Sequence, residues 1–163
     1  MPVTLPAYIK NDWGVIRRAE IKDISYLSAN LREEDKSEIQ ASSGKNPEEG
    51  MRHVVSLEDS WVVVLCDEPY IIWGHQVHDL TAQQATIWCL ATPKLLNHKT
   101  AFLRIAEAWL QTLEVQFKYL NCFADSRNKE HHRWLRFMNF KRIGEPCKFF
   151  DPEIDFHEYV RGN

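Results

Sequence analysis

The sequence predicts an α+β domain built on a mixed, mostly antiparallel sheet, and three observations carry that prediction. Apolar runs of strand length alternate with stretches whose apolar residues recur every three or four positions, in the order strand, helix, helix, helix, hairpin, strand, long helix, strand, helix, hairpin. At 163 residues, 44% hydrophobic and 12% aromatic, the chain holds enough apolar material for one core. The third observation is the stretch 85–117, which reads as a buried strand, a short polar loop and a long amphipathic helix. Its strand is the apolar run Ala85 to Ala91, ended by Thr92-Pro93 because proline has no amide hydrogen for a ladder. The helix follows from Asn97, a residue suited to an N-cap, with Phe102, Ile105, Ala106, Trp109, Leu110 and Leu113 on one face.

Taken in order, residues 1–12 carry two prolines and no periodicity, and are expected to form an arm before a single domain at 13–163. Trp13 to Ala19 predicts a strand. Ile21, Ile24, Leu27 and Leu31 are at helical spacing, and a second short helix is expected over Asp35 to Ala41, with the acidic cluster Glu33-Glu34-Asp35 between the two. Asn46-Pro47-Glu48-Glu49 has the cap, first-position proline and acidic first turn of a third helix, running to about Leu57. Ser60 to Cys66 and Tyr70 to Val77 read as a hairpin across Asp67-Glu68-Pro69. After the long helix come a strand at Tyr119 to Ala124, a capping turn at Asp125 to Asn128 and a helix at Lys129 to Met138. Asn139 is placed to close that helix in a left-handed conformation, leading into a strand at Lys141 to Ile143. Glu145 to Phe150 and Phe156 to Arg161 form the last expected hairpin.

Charge and cysteine content narrow the function classes. A net charge of -3 and a pI near 6.2 argue against a general nucleic-acid binder, which usually carries a basic patch. Cys66, Cys89, Cys122 and Cys147 are widely spaced, so buried free thiols are expected rather than disulfides or zinc ligands. His75 and His78 fall on opposite faces of an extended segment by parity and make a poor metal pair, so no metal is expected. No apolar run approaches membrane-spanning length, and no membrane contact is expected.

Two stretches could carry chemistry. A strand delivered onto a helix start presents unpaired amides near His98, Lys99 and Thr100 at the positive end of the dipole, and Lys94, His98 and Lys99 add charge, an arrangement that would suit a phosphate. The same residues also fit a plain αβ unit with a lysine-dressed cap. Glu33, Glu34 and Asp35 read either as a solvated turn or, facing a cleft, as a base.

The element order and the C-terminal half, "ATIWCLATPKLLNHKTAFLRIAEAWLQTLE" followed by "YLNCFADSRNKEHHRWLRFMNFKRIG", resemble the GNAT superfamily of N-acetyltransferases from its fourth strand to the helix and "GF" turn of its second motif. "VIRRAEIKDISYLSANLREED" is similar to the opening strand and helix of that superfamily, so the likeness covers about residues 14–160. The pattern N-x-x-H-x-R-W-L-R-F looks like the phage-encoded branch, which includes internal virion proteins of podophages. The resemblance implies a splayed strand pair after the fourth strand, acetyl-CoA or another acyl-CoA as cofactor, pantetheine bonded to the backbone of Cys89, Leu90, Ala91 and Thr92, pyrophosphate at Lys94, His98, Lys99 and Thr100, and contact from Asn128. It also implies a base, for which Glu33, Glu34, Asp35 and His75 are the candidates, and an oxyanion donor at the amide of Leu90 or Ala91.

Two features depart from that pattern. The family's phosphate loop has spaced glycines, because side chains block close approach to backbone, whereas Leu96 to Ala101 has none. Counting back from Asn139 to the position of the family's acid tyrosine gives Leu135. Two functions follow. One is a GNAT-like phage protein with a degenerate acyl-CoA site, acting in the virion or the host cytoplasm on a virion or host partner through its arm and the basic face of Arg127, Lys129, Arg133 and Arg136. The other is an active N-acetyltransferase acting on an amine.

Overall fold

The computed structural model describes residues 9–79, 81 and 83–162. Of the expected arm, residues 1–8 lie outside the described residues, while Ile9–Asn11 forms strand β1 and pairs with β2 (Gly14–Arg18). Then come α1 (Ile21–Asn30), α2 (Glu33–Ser43), α3 (Pro47–Val54), β3 (Ser60–Leu65), β4 (Glu68–Asp79) and β5 (Gln84–Ala91). A 3-10 turn (Pro93–Asn97) leads to α4 (Lys99–Glu114), β6 (Tyr119–Asp125), α5 (Lys129–Phe137), β7 (Lys141–Cys147) and β8 (Phe156–Gly162). The strands form one sheet in the order β1-β2-β3-β4-β5-β6-β8-β7, antiparallel at every pairing except β5 with β6.

Strand alternation sorts the core onto the two faces of the sheet. Val62, Ile72 and Leu90 meet Ile24, Leu27, Ile39 and Met51 of α1–α3 on one side. Val63, Ile71, Trp73, Ala85 and Leu120 meet Trp109, Leu110 and Leu113 of α4 and Trp134 and Leu135 of α5 on the other. Fully buried side chains such as Leu27, Met51 and Leu110 each stabilise the fold by about 1.5–3 kcal/mol.

Several boundaries differ from expectation for local reasons. Glu33-Glu34-Asp35 is not a turn between helices but the first turn of α2, where acidic residues complement the helix dipole. The β3–β4 turn is the pair Cys66-Asp67, both at positive φ (53° and 62°), so β4 begins at Glu68 and Cys66 is exposed rather than buried. Asn97 ends the 3-10 turn, and His98 takes the N-cap position of α4 without a side-chain capping bond. Residues 141–147 form one strand against β8, with a register shift between Ile143 and Cys147 that takes Gly144 and Pro146 out of the ladder; Phe149 and Phe150 fall beyond it.

Candidate functional site

The site grows from the single parallel pairing. β5 and β6 share three register positions, Gln84 with Tyr119, Ala85 with Leu120 and Thr86 with Asn121, and then part. A side-chain clasp marks the end of the shared ladder: Thr86 Oγ1 and Asn121 Oδ1 are 2.7 Å apart, and Asn121 Nδ2 donates to Glu158 at 3.1 Å. Beyond it, Ile87–Ala91 of β5 and Cys122–Asp125 of β6 diverge, which is the expected splayed pair.

Groups from both faces of the sheet enter that gap. The Ala91 amide donates to Asp35 Oδ2 at 2.9 Å, and the Ala91 carbonyl accepts from the Arg32 amide at 2.9 Å. Asp35 is also gripped by the guanidinium of Arg32, Nη2 to Oδ1 at 2.8 Å and Nε to Oδ2 at 3.2 Å, and that guanidinium lies over the Trp134 ring at 5.0 Å. Burial drives the Asp35 carboxyl above the usual range, with Arg32 opposing it. One helical turn further along α2, Glu38 reaches through the gap to α5: its Oε1 lies 3.1 Å from His131 Nδ1 and accepts the Asp125 amide at 2.7 Å. His131 Nε2 in turn lies 3.5 Å from Cys122 Sγ. Burial works against a charge on His131, yet Glu38 and Cys122 outweigh it and hold its pKa well above the ordinary value.

What is left of the gap is small. On the α5 side, Phe102, Trp134 and Met138 close it to a cavity of about 40 Å³. On the α2–α3 side it opens into a cleft of about 400 Å³, bordered by Ser42, His53, Gln76, Trp88, Phe123 and Phe149, with Glu38, His131 and Cys122 at its base. The loop between β7 and β8 forms one wall, held by the Asp151 amide donating to Ala41 O at 2.9 Å and by Phe150 resting on Gly44, where φ of 69° suits glycine.

The loop after β5 is set apart from this chain. The amides of Leu95 and His98 are spent inside the 3-10 turn on Thr92 O and Leu95 O. Lys94 pairs with Glu68, and Lys99 lies 3.9 Å from Glu130 of α5. An open depression of about 480 Å³ borders His98, Lys99 and Thr100, with Trp13 opposite. The His98 ring sits against Tyr70, whose hydroxyl donates to Trp13 O at 2.6 Å and whose pKa burial raises to about 12.

The remaining candidates are scattered. Glu33 is exposed and paired with Lys36 at 2.8 Å, and Glu34 is exposed. His75 packs on Trp109 and Phe117 on the α4 face, where burial lowers its pKa. Asn128 is the N-cap of α5, accepting the His131 amide at 3.2 Å and reaching Glu38 with Nδ2 at 3.5 Å. Thr92 donates its amide to Tyr70 O at 2.9 Å, while burial pushes the Cys89 thiol up. The Leu90 side chain packs with the α1–α3 cluster. Among the described residues, no group of three or more His, Cys, Asp or Glu is placed to hold a metal ion. Sequence reasoning missed Glu38, His131 and Arg32; the available signal was Asp35 and Glu38, polar residues three apart beside core-facing Ile39.

No family model matches the sequence, and no curated protein is similar to it. Solved structures with the same fold are numerous. The microcin C7 self-immunity acetyltransferase MccE, solved with acetyl-CoA and AMP, superposes with a TM-score of 0.68 at 12% identity over 98% of each chain. A GNAT-family acetyltransferase from Bacillus anthracis gives 0.66 at 18% identity, covering 95% of this chain and 98% of its own. A ribosomal-protein-alanine N-acetyltransferase from Brucella melitensis gives 0.62 at 12%, covering 91% and 99%. The chain has the GNAT fold, and at these identities the likeness concerns the fold alone.

Proposed function

We propose that this GNAT-fold protein acts by binding, its acyl-CoA site being degenerate, and that its partner is a phage virion or host protein, as the sequence resemblance suggests. The observation that carries this reading is the occupation of Ala91. A pantetheine arm lying along the fourth strand of the family needs the strand's outward backbone groups, and at Ala91 both are already bonded, to Asp35 and to Arg32. On its α5 side the gap closes to about 40 Å³, room for a water or so, while the α2–α3 side, at about 400 Å³, is of small-molecule size. One of the two expected oxyanion donors, the Ala91 amide, is likewise already bonded to Asp35, so this end of the strand does not fit the cofactor and no transfer step is routed through it.

The second reading, an acyl-CoA-dependent N-acetyltransferase, is favoured by one feature, the open depression at the start of α4 beside His98, Lys99 and Thr100. Thermal unfolding with millimolar coenzyme A or acetyl-CoA separates the two, because a ligand that binds only the native state raises Tm by mass action. The binding reading expects no shift. A rise in Tm that Lys99→Glu removes, with thiol release from acetyl-CoA in the presence of an amine, would replace it with the enzyme.

A further inference from the structure

We propose that the outward face of α4 and α5 is a docking surface for an acidic amphipathic helix of a partner protein; this names the surface and the partner chemistry of the binding reading above and rests on that reading. The two helices follow the parallel strands β5 and β6 and lie side by side, joined by Phe102 against Trp134 at 5.0 Å and by Lys99 near Glu130. An open depression of about 560 Å³ lies between them, bordered by Leu103, Arg104, Glu107, Ala108 and Gln111 of α4 and by Phe137 at the end of α5. A single exposed apolar side chain is ordinary on a protein surface. Phe137, however, is 69% exposed as the wall of a groove between two helices, the shape that receives the apolar edge of a third.

Around that groove the unpaired charges are positive. Residues 129–142 hold five lysines and arginines against one acid, Glu130, in a chain of net charge -3. Lys129, Arg133 and Arg136 share one face of α5 by their spacing, and Arg142 is brought alongside because its register partner on β8, Tyr159, bonds His132 of α5 at 2.8 Å. Both acids of this face are already paired, Glu130 with Arg133 at 2.9 Å and Glu107 with Arg161 at 2.7 Å. Arg127, expected on the same basic face, is bound to Asp125 at 2.6 Å. Arg104, Lys129, Arg136 and Arg142 are exposed, and among the described residues their side chains have no hydrogen-bond or ion-pair partner.

Unpaired cations beside an apolar groove call for an occupant that is apolar along one edge and acidic on its flanks. Opposite charge steers and orients the encounter, while burial of the apolar edge on Phe137 and Leu103 supplies the affinity. A nucleic acid fits less well, since it would bring phosphates toward Glu107 and Glu130 and leave Leu103 and Ala108 without an apolar partner. Helices α4 and α5 cover one face of the sheet and α1–α3 the other, so an occupant here leaves the cleft beside α2 and α3 open.

The test is fluorescence anisotropy of the full chain with a labelled synthetic peptide of about 18 residues, or five helical turns, with leucine at i, i+4, i+7 and i+11 and glutamate at most other positions. Its controls are a scrambled peptide of the same composition, whose leucines share no face, and single-stranded DNA of equal charge. The patterned peptide is expected to bind about tenfold more tightly than either control, and to weaken as salt rises. Phe137→Ala and Arg136→Glu should each weaken it about tenfold at unchanged Tm, both side chains being exposed, whereas Arg52→Glu, the same change of charge on α3, should leave it unchanged. No binding of the patterned peptide, equal binding of the scrambled peptide or of the DNA, or binding that survives both variants overturns the proposal. A rise in Tm with coenzyme A would end the binding reading without changing the peptide's affinity, and failure of the peptide with no response to coenzyme A would end the docking face alone, so the two fail separately.

Discussion

Asn139 closes α5 with φ of 61°, its amide donating to Arg136 O at 3.1 Å and the next amide, Phe140, to Leu135 O at 2.9 Å. These two bonds make a Schellman motif, whose closing residue must be left-handed. Asn139→Gly should therefore be neutral or slightly stabilising, whereas Asn139→Val should cost roughly 1–2 kcal/mol in a denaturant titration. A second prediction concerns His131. Its raised pKa means the folded state holds a proton that the unfolded chain releases near the ordinary imidazole value. Its contribution to stability is thus full below that value and is lost as pH rises through the raised one. Relative to His131→Gln, the wild-type unfolding midpoint should fall from pH 6 toward higher pH, and a difference that stays flat would contradict the Glu38–His131 link.

Helix α3 offers a test that runs against propensity. Gly50 faces Ile39 of α2, and a β-carbon there would overlap the isoleucine's methyl group. On an open helix, Gly→Ala stabilises by up to about 1 kcal/mol. Here Gly50→Ala should instead cost about 1–3 kcal/mol by prising α2 from α3, and in the same chain with Ile39→Ala, which removes that methyl, the two costs should be less than additive. What the sequence made legible at this scale was periodicity: the apolar face of α4, the Asn139 stop and the strands all follow from spacing within a dozen residues. The polar chain was not legible, because Glu38 and His131 are 93 residues apart and meet only where two strands separate. The start of α2 was misplaced for a related reason. An acidic cluster looks solvated until its last member, Asp35, turns out to be 1% exposed and bonded to Ala91 and Arg32.

For the whole molecule, the far end of the sheet is fastened by one arginine. Arg161 on β8 donates to Glu107 and Glu114 of α4, at 2.7 Å each from Nη1 and Nε, and to Met138 O beyond α5 at 3.0 Å. Arg161→Ala should lower stability by about 2–3 kcal/mol in urea, and Arg161→Lys should recover little, since a single ammonium cannot fork to two carboxylates. The short parallel ladder has a mechanical counterpart. Five strands, β1 to β5, make one plate and β6, β8 and β7 make another, and three register positions join them. Tension applied across the sheet would concentrate on that seam, with the Thr86–Asn121 clasp, the Glu38–His131 crossing and the stacking of Arg32 on Trp134 acting as its rivets. Pulled apart from β1 and β7 in a force experiment, the chain should yield there first, releasing the three C-terminal strands as a unit while the β1–β5 plate stays shut.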